Sequence, residues 1–257
     1  MNDQRQQILA DEARFADGQY QPHARDLEVN PLMFAKYARP THMWDWRQRS
    51  AALLGDLNGK RLLDLGCGMG EESVYFALLG AQVTAIDISE VGINILRRRI
   101  ARHHLEGRVT ALRMAADPTG FADQSFDLIH GLGILHHLGL EPGLAEVRRL
   151  LVPGGAGVFL EPMGNSRMVE AAKGWLLARG GRVEQTEHEQ PIRLAELLEL
   201  GRAFSRLEHH PYHLLYRVKR YLPAGLHQAC KRLDHQVLRL LPPARHLAGA
   251  VVMRLVR

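Results

Sequence analysis

From about residue 60 the hydrophobic positions fall into short dense runs separated by longer stretches in which they recur at helical spacing. The dense runs "RLLDLG" (61–66), "AQVTAID" (81–87), "RVTALRM" (108–114), "FDLIHGLG" (126–133) and "AGVFLEP" (156–162) each end in a turn-forming residue and predict strands. Between them, "EESVYFALLG" carries a helical apolar face and stops at Gly80. "SEVGINILRRRIARHHL" opens on Ser89 as N-cap and carries Val91, Ile93, Ile95 and Ile100 along its apolar side. This alternation predicts a parallel sheet with crossover helices.

After residue 162 the rhythm changes. "SRMVEAAKGWLLARGG" and "IRLAELLELGRAF" predict helices, while "FSRLEHHPYHLL" and the better-formed "LAGAVVMRLV" predict strands. Between those two strands, "LLYRVKRYLPAGLHQACKRLDHQVLRLLPPARH" predicts two basic amphipathic helices, broken at Pro223 and closed by Pro242 and Pro243. No internal repeat or low-complexity tract interrupts the pattern.

A chain of 257 residues, 46% hydrophobic and 24% charged, suits one large globular unit and leaves no compositional sign of disorder. No run of some 18 apolar residues occurs, and the opening "MNDQRQQILADEARF" is polar, so a cytoplasmic protein is expected. Cys67 and Cys230 cannot build a disulfide framework and are expected as free thiols. The net charge of +5 is uneven, because residues 201–257 hold 11 Lys/Arg against 2 Asp/Glu. Such a region could meet a phosphate, an anionic membrane or an acidic substrate; the simpler reading is a solvated face.

The chemistry concentrates in "DLGCGMGEES". Glycines at 66, 68 and 70, leaving a strand and entering a helix, let a ligand approach the backbone and aim N–H groups at it. Asp87 ends the next strand, where a carboxylate can accept both ribose hydroxyls of an adenosine ligand. The glycines run GxGxG, whereas nicotinamide enzymes more often spread them as GxGxxG.

These residues resemble the class I S-adenosylmethionine-dependent methyltransferases. "LLDLGCGMGEES" looks like their first motif and "VTAIDIS" like their second; "FADQSFDLIHGLGILHHL" and "EVRRLLVPGGAGVFLEP" match their fourth and fifth strand regions, so the resemblance is close over 55–162. It implies a Rossmann-like α/β fold, with a seven-stranded mostly parallel sheet, flanking helices and a helical cap, in which "LAGAVVMRLV" runs antiparallel. It implies S-adenosylmethionine as cofactor, with Asp64 under the methionine ammonium and the backbone of Gly66, Cys67, Gly68 and Gly70 along the amino acid and ribose. Asp87 would take the ribose diol, Ile88 would lie against the adenine, and Gly131 would sit beside the cofactor. Where relatives place an acid toward the adenine amino group, this chain has Ala115, leaving Asp117 or the backbone of Ala116 to serve. "GCG" is a common spelling of this loop, so Cys67 is not read as a nucleophile.

Methyl transfer from a sulfonium needs alignment of the reactants and, for some acceptors, removal of a proton. The strand ends "GLGILHHL" and "LEPMGN" offer His136, His137 and Glu161 as candidate bases. Each also has a structural reading: the histidines as parts of the following helix, Glu161 as an acceptor for loop amides. Neither a (D/N)PPY-like sequence nor a Pro-Cys follows the fourth strand, which argues against adenine and cytosine methylation, and no nucleic-acid partner is expected. No metal site is expected either, although "HHPYH" (209–213) contains potential ligands.

Three units are expected: an N-terminal helical cap (1–54), the cofactor-binding core (55–162), and a C-terminal half of the sheet with helical substrate-cap insertions (163–257). Tyr20, Tyr37 and Trp44 from the first and Met163, Asn165 and Arg167 from the last are candidate substrate contacts. The resulting expectation is methyl transfer to a small organic acceptor, with oxygen favoured, in specialised metabolism. Alternatives are nitrogen, sulfur or carbon acceptors, a lipid or quinone at a membrane surface, and a non-catalytic regulatory protein. The basic segment 214–247 is read as a pocket roof or homodimer contact ahead of a membrane-resting hairpin.

Overall fold

The computed structural model describes residues 3–116, 118–164, 191–216 and 223–257. Its centre is a seven-stranded sheet: β1 (Arg61–Leu65), β2 (Gln82–Asp87), β3 (Val109–Arg113), β4 (Phe126–Leu132), β5 (Leu151–Pro162), β6 (Arg206–Tyr212) and β7 (Ala250–Val256). The strand order is β3-β2-β1-β4-β5-β7-β6. β1 to β5 pair in parallel, and β7 runs antiparallel to both β5 and β6. The predicted Rossmann-like, mostly parallel sheet with an antiparallel "AVVMRLV" strand is therefore observed.

The strands lie between helical layers, and alternate residues feed the two sides. Leu62, Val83, Leu128, Val158 and Val252 join one core with Tyr75 and Phe76 of α4 (Glu71–Leu78), Ile93 and Leu96 of α5 (Glu90–Arg102), and Ala51 and Leu54 of α3 (Trp46–Leu54). Leu63, Ile129, Phe159 and Met253 join the other, with Leu144 and Val147 of α7 (Leu140–Leu150) and Leu197 of α8 (Leu194–Leu200). Tyr75 and Phe76 are wholly buried, and burying a side chain of that kind contributes roughly 1.5–3 kcal/mol.

Helix starts follow local chemistry. The Ser89 side chain accepts from Gly92 N at 2.9 Å, capping α5 as its sequence predicts. Asn30 caps α2 (Pro31–Ala38), with Pro31 at its first turn, and Asp45 caps α3 through Arg47 N and Gln48 N. α1 (Asp3–Tyr20) precedes these and packs on α5.

Two boundaries differ from expectation. β5 begins at Leu151, not at Ala156, because Leu151 pairs with Phe126 before the register shifts and Ala156 pairs with Leu128. "PGG" loops out within the strand, with Gly154 in the left-handed region at φ 77°. In the basic segment, α9 (His227–Leu240) and a 3-10 stretch at Pro242–Leu247 account for the second predicted helix. Residues 217–222 of the first lie outside the described residues, as does the helix expected at 166–181.

Candidate active site

The carboxyl ends of β1, β2 and β4 meet beneath α1. Leaving β1, the chain turns through Gly66 at φ 69° and Gly70 at φ 73°, conformations that side chains with a Cβ rarely adopt. A Cβ on Gly66 would also lie 2.8 Å from Ile134 Cδ1, and one on Gly70 would collide with Leu96. The loop thus holds its backbone tight against both neighbours.

Two buried carboxylates flank it. Asp87 accepts Gly68 N through Oδ2 and Ser89 N through Oδ1, both at 2.8 Å. Burial raises its pKa, while the two amides pull it back. Asp64 takes the Ser73 hydroxyl at 2.5 Å on Oδ2, and its Oδ1 lies 3.0 Å from His130 Nδ1. Across the loop, burial also raises the pKa of Glu72; Arg47 opposes this, its Nε 3.5 Å from Glu72 Oε1.

Two cavities open onto this loop, and Tyr20 at the end of α1 lines both. The smaller, about 220 Å³, is bounded by Asp64, Gly66, Cys67, Gly68, Glu72 and Arg47. The larger, about 350 Å³, is bounded by Asp87, Ile88, Ala116, Ile134, His137 and apolar residues of α1. α1 is held there by Asp17, whose Oδ1 accepts the Ser89 hydroxyl at 2.5 Å and Val91 N at 3.1 Å. Burial and the nearby Asp87 push the Tyr20 phenol above its ordinary pKa.

This donor set fits S-adenosylmethionine. The smaller cavity offers carboxylates for an ammonium and a guanidinium for a carboxylate, while the larger one joins Asp87 to apolar walls suited to a ribose and an adenine. The cradle between them admits no Cβ at Gly66.

The remaining residues singled out from the sequence separate into groups. Glu161 is buried at the end of β5, where Oε1 accepts the amides of Ile134 and Leu135 at 2.9 Å each. Its Oε2 lies 2.8 Å from His136 Nδ1. His137, the next residue of α6 (Leu135–Leu138), instead lines the larger cavity, with Nδ1 3.5 Å from Glu12 Oε1. Gly131 pairs with Leu65, and a Cβ there would meet Phe159 and Ile134. Ala115 joins Ile88 and Arg113 along a neighbouring shallow cavity.

Tyr37 lies in the core against Tyr75 and Phe76 and reaches the site only through its hydroxyl, which donates to Glu72 Oε1 at 3.2 Å. Trp44 stacks edge-on with His42 and lies beneath the Arg232 guanidinium, away from both cavities. Met163 is buried, its backbone bridging to Ile192. Asp117, Asn165 and Arg167 lie outside the described residues. Burial and Asp64 raise the Cys67 thiol pKa well above its ordinary value, which keeps it protonated in the loop.

Arg47, Glu72, His130, Glu12 and Ile134 also line the two cavities without having been singled out. Glu72, two residues after Gly70, stood within the glycine motif. Arg47 and Glu12 carry no local signal, because only the folding of α1 and α3 over the loop brings them there.

The strand order defines a Rossmann-like fold of the kind found in solved methyltransferases. Residues 62–155 match the family described as "Methyltransferase domain". A demethylmenaquinone methyltransferase of Clavibacter sepedonicus is 35% identical over 117 residues, 45% of this chain and 46% of the relative. A ubiquinone biosynthesis O-methyltransferase of Nitrosococcus oceani is 30% identical over 151 residues, 52% of this chain and 62% of the relative. Among solved structures, a Haemonchus contortus phosphoethanolamine N-methyltransferase 2 with S-adenosylhomocysteine superposes with a TM-score of 0.57 at 19% identity. That superposition covers 81% of this chain and 52% of the other. The chain spans less than two thirds of the length of each of these three proteins. Over residues 62–155 the chain is thus similar to the class I S-adenosylmethionine-dependent methyltransferases, a family that uses S-adenosylmethionine as methyl donor.

Proposed function

We propose that this protein methylates a small organic acceptor, with an oxygen as the favoured atom and His137 as the base. The observation that carries this reading is the divergence of two adjacent histidines. His136 is turned inward onto Glu161, whereas His137 lines the cavity that also contains Asp87. Both Glu161 oxygens face the 134–136 turn, so Glu161 acts here as a positioning residue.

Bound S-adenosylmethionine supplies a methyl group activated by its sulfonium. Asp87 would hold its ribose diol, Ile88 and the Ala116 backbone would meet its adenine, and Asp64 and Arg47 would answer the two charges of its amino-acid end. The apolar face of α1, through Leu9, Phe15 and Ala16, keeps water from the acceptor. Nε2 of His137 receives the acceptor proton while Glu12, beside Nδ1, stabilises the imidazolium that results.

The test is mass gain of one methyl on a panel of phenols and hydroxy acids, with His136→Ala and His137→Ala made separately. For His137→Ala, kcat should fall about 10²- to 10⁴-fold with S-adenosylhomocysteine binding retained. Unchanged turnover in that variant would remove His137 from the role. Donor binding with no methyl gain on any acceptor would favour the non-catalytic regulatory reading.

A second reading, a lipophilic quinone-like acceptor met at a membrane surface, draws on the quinone-pathway names of two relatives and on α9. Leu226, Leu233 and Leu240 are exposed there at seven-residue intervals beside Arg232 and Arg239. Sedimentation with acidic liposomes separates the two readings: the small-acceptor reading expects the protein to stay in the supernatant.

A further inference from the structure

A further cavity, about 280 Å³, lies on the side of the sheet away from β3, between β6, α9, α3 and the Pro242–Leu247 turn. Its charged and titratable lining is Arg49, His209, His210, Tyr212, His235, Arg239 and Arg245, with no acidic residue among the described residues of its walls. The carboxylates near it are already engaged: Glu208 lies 2.9 Å from Arg206 and 3.9 Å from Arg254, and Asp45, whose charge reaches Tyr212, lies 3.2 Å from Lys36 and 3.4 Å from Lys231. Among the described residues no carboxylate pairs with Arg49, Arg239 or Arg245. Arg49 Nε donates to the Tyr212 hydroxyl at 3.3 Å, and Arg245 Nε donates to the Leu238 carbonyl at 2.9 Å. These bonds fix two of the guanidinium groups. His210 Nε2 is buried and makes no hydrogen bond among the described residues.

Like charges gathered in a concave site without counter-charge raise the energy of the empty site, and an anion relieves it. Three guanidinium groups arriving from three elements suit an anion with several oxygens spread in three dimensions, where a carboxylate would offer only two in a plane. We propose that this cavity binds a phosphate group, as inorganic phosphate, a phosphate monoester or a lipid headgroup, at a site separate from the methyl-donor site.

The histidines give the site a pH signature. Burial together with Arg245 lowers the pKa of His209, and burial with Arg49 and Arg239 lowers that of His235. His210 is brought down to about 4 by burial, Arg49, His209 and His235, against an upward pull from Glu208. These rings are therefore neutral at pH 7 in the empty site, and an arriving phosphate raises their proton affinity, so binding takes up protons. A cation finds no matching site: among the described residues no group of three or more His, Cys, Asp or Glu is arranged to hold a metal.

The experiment is calorimetric titration of the full chain with inorganic phosphate in buffers of differing ionisation enthalpy, beside flotation with phosphatidylcholine vesicles with and without phosphatidic acid. Saturable binding with proton uptake, weakened about tenfold or more in Arg239→Glu and again in Arg245→Ala, is expected. S-adenosylhomocysteine binding should be unchanged in both variants. Phosphate binding in solution identifies a small ligand, and binding only to the phosphatidic acid vesicles identifies a headgroup; either supports the site. Absence of binding to both probes, or binding that neither variant weakens, overturns it. Arg239 is exposed, so its substitution leaves the fold intact to report the result.

Discussion

The two ends of the parallel sheet handle the same residue type in opposite ways. At the amino ends, Glu146 and Asp127 are each matched by an arginine. Glu146 receives Arg149 on both oxygens at 2.8 Å and Thr119 through its hydroxyl and amide; Asp127 receives Arg61 through the side chain and the main chain. The Arg149 guanidinium and Thr119 bring the Glu146 pKa down to about 2. At the carboxyl ends, buried Asp87 and half-buried Glu72 lie near Asp64, and desolvation raises both their pKa values. One end uses carboxylates to close the structure; the other leaves Asp87 with no ion pair among the described residues and gives Glu72 only Arg47 at 3.5 Å, an arrangement suited to the hydroxyls and ammonium of a ligand.

The sharpest break of this contrast is Asp87→Ala. It should weaken S-adenosylhomocysteine by about 10²- to 10³-fold, the worth of two charge-assisted hydrogen bonds, in calorimetry. The thermal midpoint should move far less than the affinity. Equal losses of both would show that Asp87 is there to hold the loop.

Next comes Arg149→Met at the opposite end. Removing one partner from Glu146 and Asp123 should cost about 3 kcal/mol in urea unfolding, with ligand affinity per folded molecule retained. Full stability in this variant would remove the contrast between the two ends.

A smaller effect lies in pH. Glu146, with its folded pKa depressed, contributes stability that is complete above the unfolded carboxylate range and is lost as pH falls toward about 2. Asp87 and Glu72, with raised folded pKa values, contribute most below the unfolded range and lose that contribution as pH rises through their folded values. Ligand-free Glu72→Gln should therefore gain stability relative to the parent at pH 7, and gain less at pH 4. Urea midpoints across this range check the sign.

The smallest change is expected from Cys67→Ala, at about 1 kcal/mol of stability. Its raised thiol pKa and burial should also make native Cys67 slow to react with iodoacetamide at pH 8. Rapid alkylation, or loss of methyl transfer in Cys67→Ala, would overturn the reading of Cys67 as an unreactive part of the loop.

What the sequence determined by itself is local. Hydrophobic alternation located seven strands, Ser89 read as a cap is a cap, and the glycine spacing marked a loop whose backbone adopts conformations only glycine tolerates freely. These features depend on near neighbours in the chain, so their information is contiguous. Asp87 was legible for the same reason, since a strand end and a loop 21 residues earlier are joined by a single crossover helix.

Tertiary structure alone decided which way side chains face once elements pack. His136 and His137 are indistinguishable in "GILHHL", yet one helical turn sends the first to Glu161 and the second to the cavity wall. Tyr20 and Tyr37 look alike in an aromatic-rich leader, but only Tyr20 lines the cavities. The cationic cavity draws Arg49, His210, His235 and Arg245 from four elements up to 196 positions apart. No local pattern encodes such a meeting, because it follows from the packing of α3 and α9 against the edge of the sheet, a long-range consequence of burying their apolar faces.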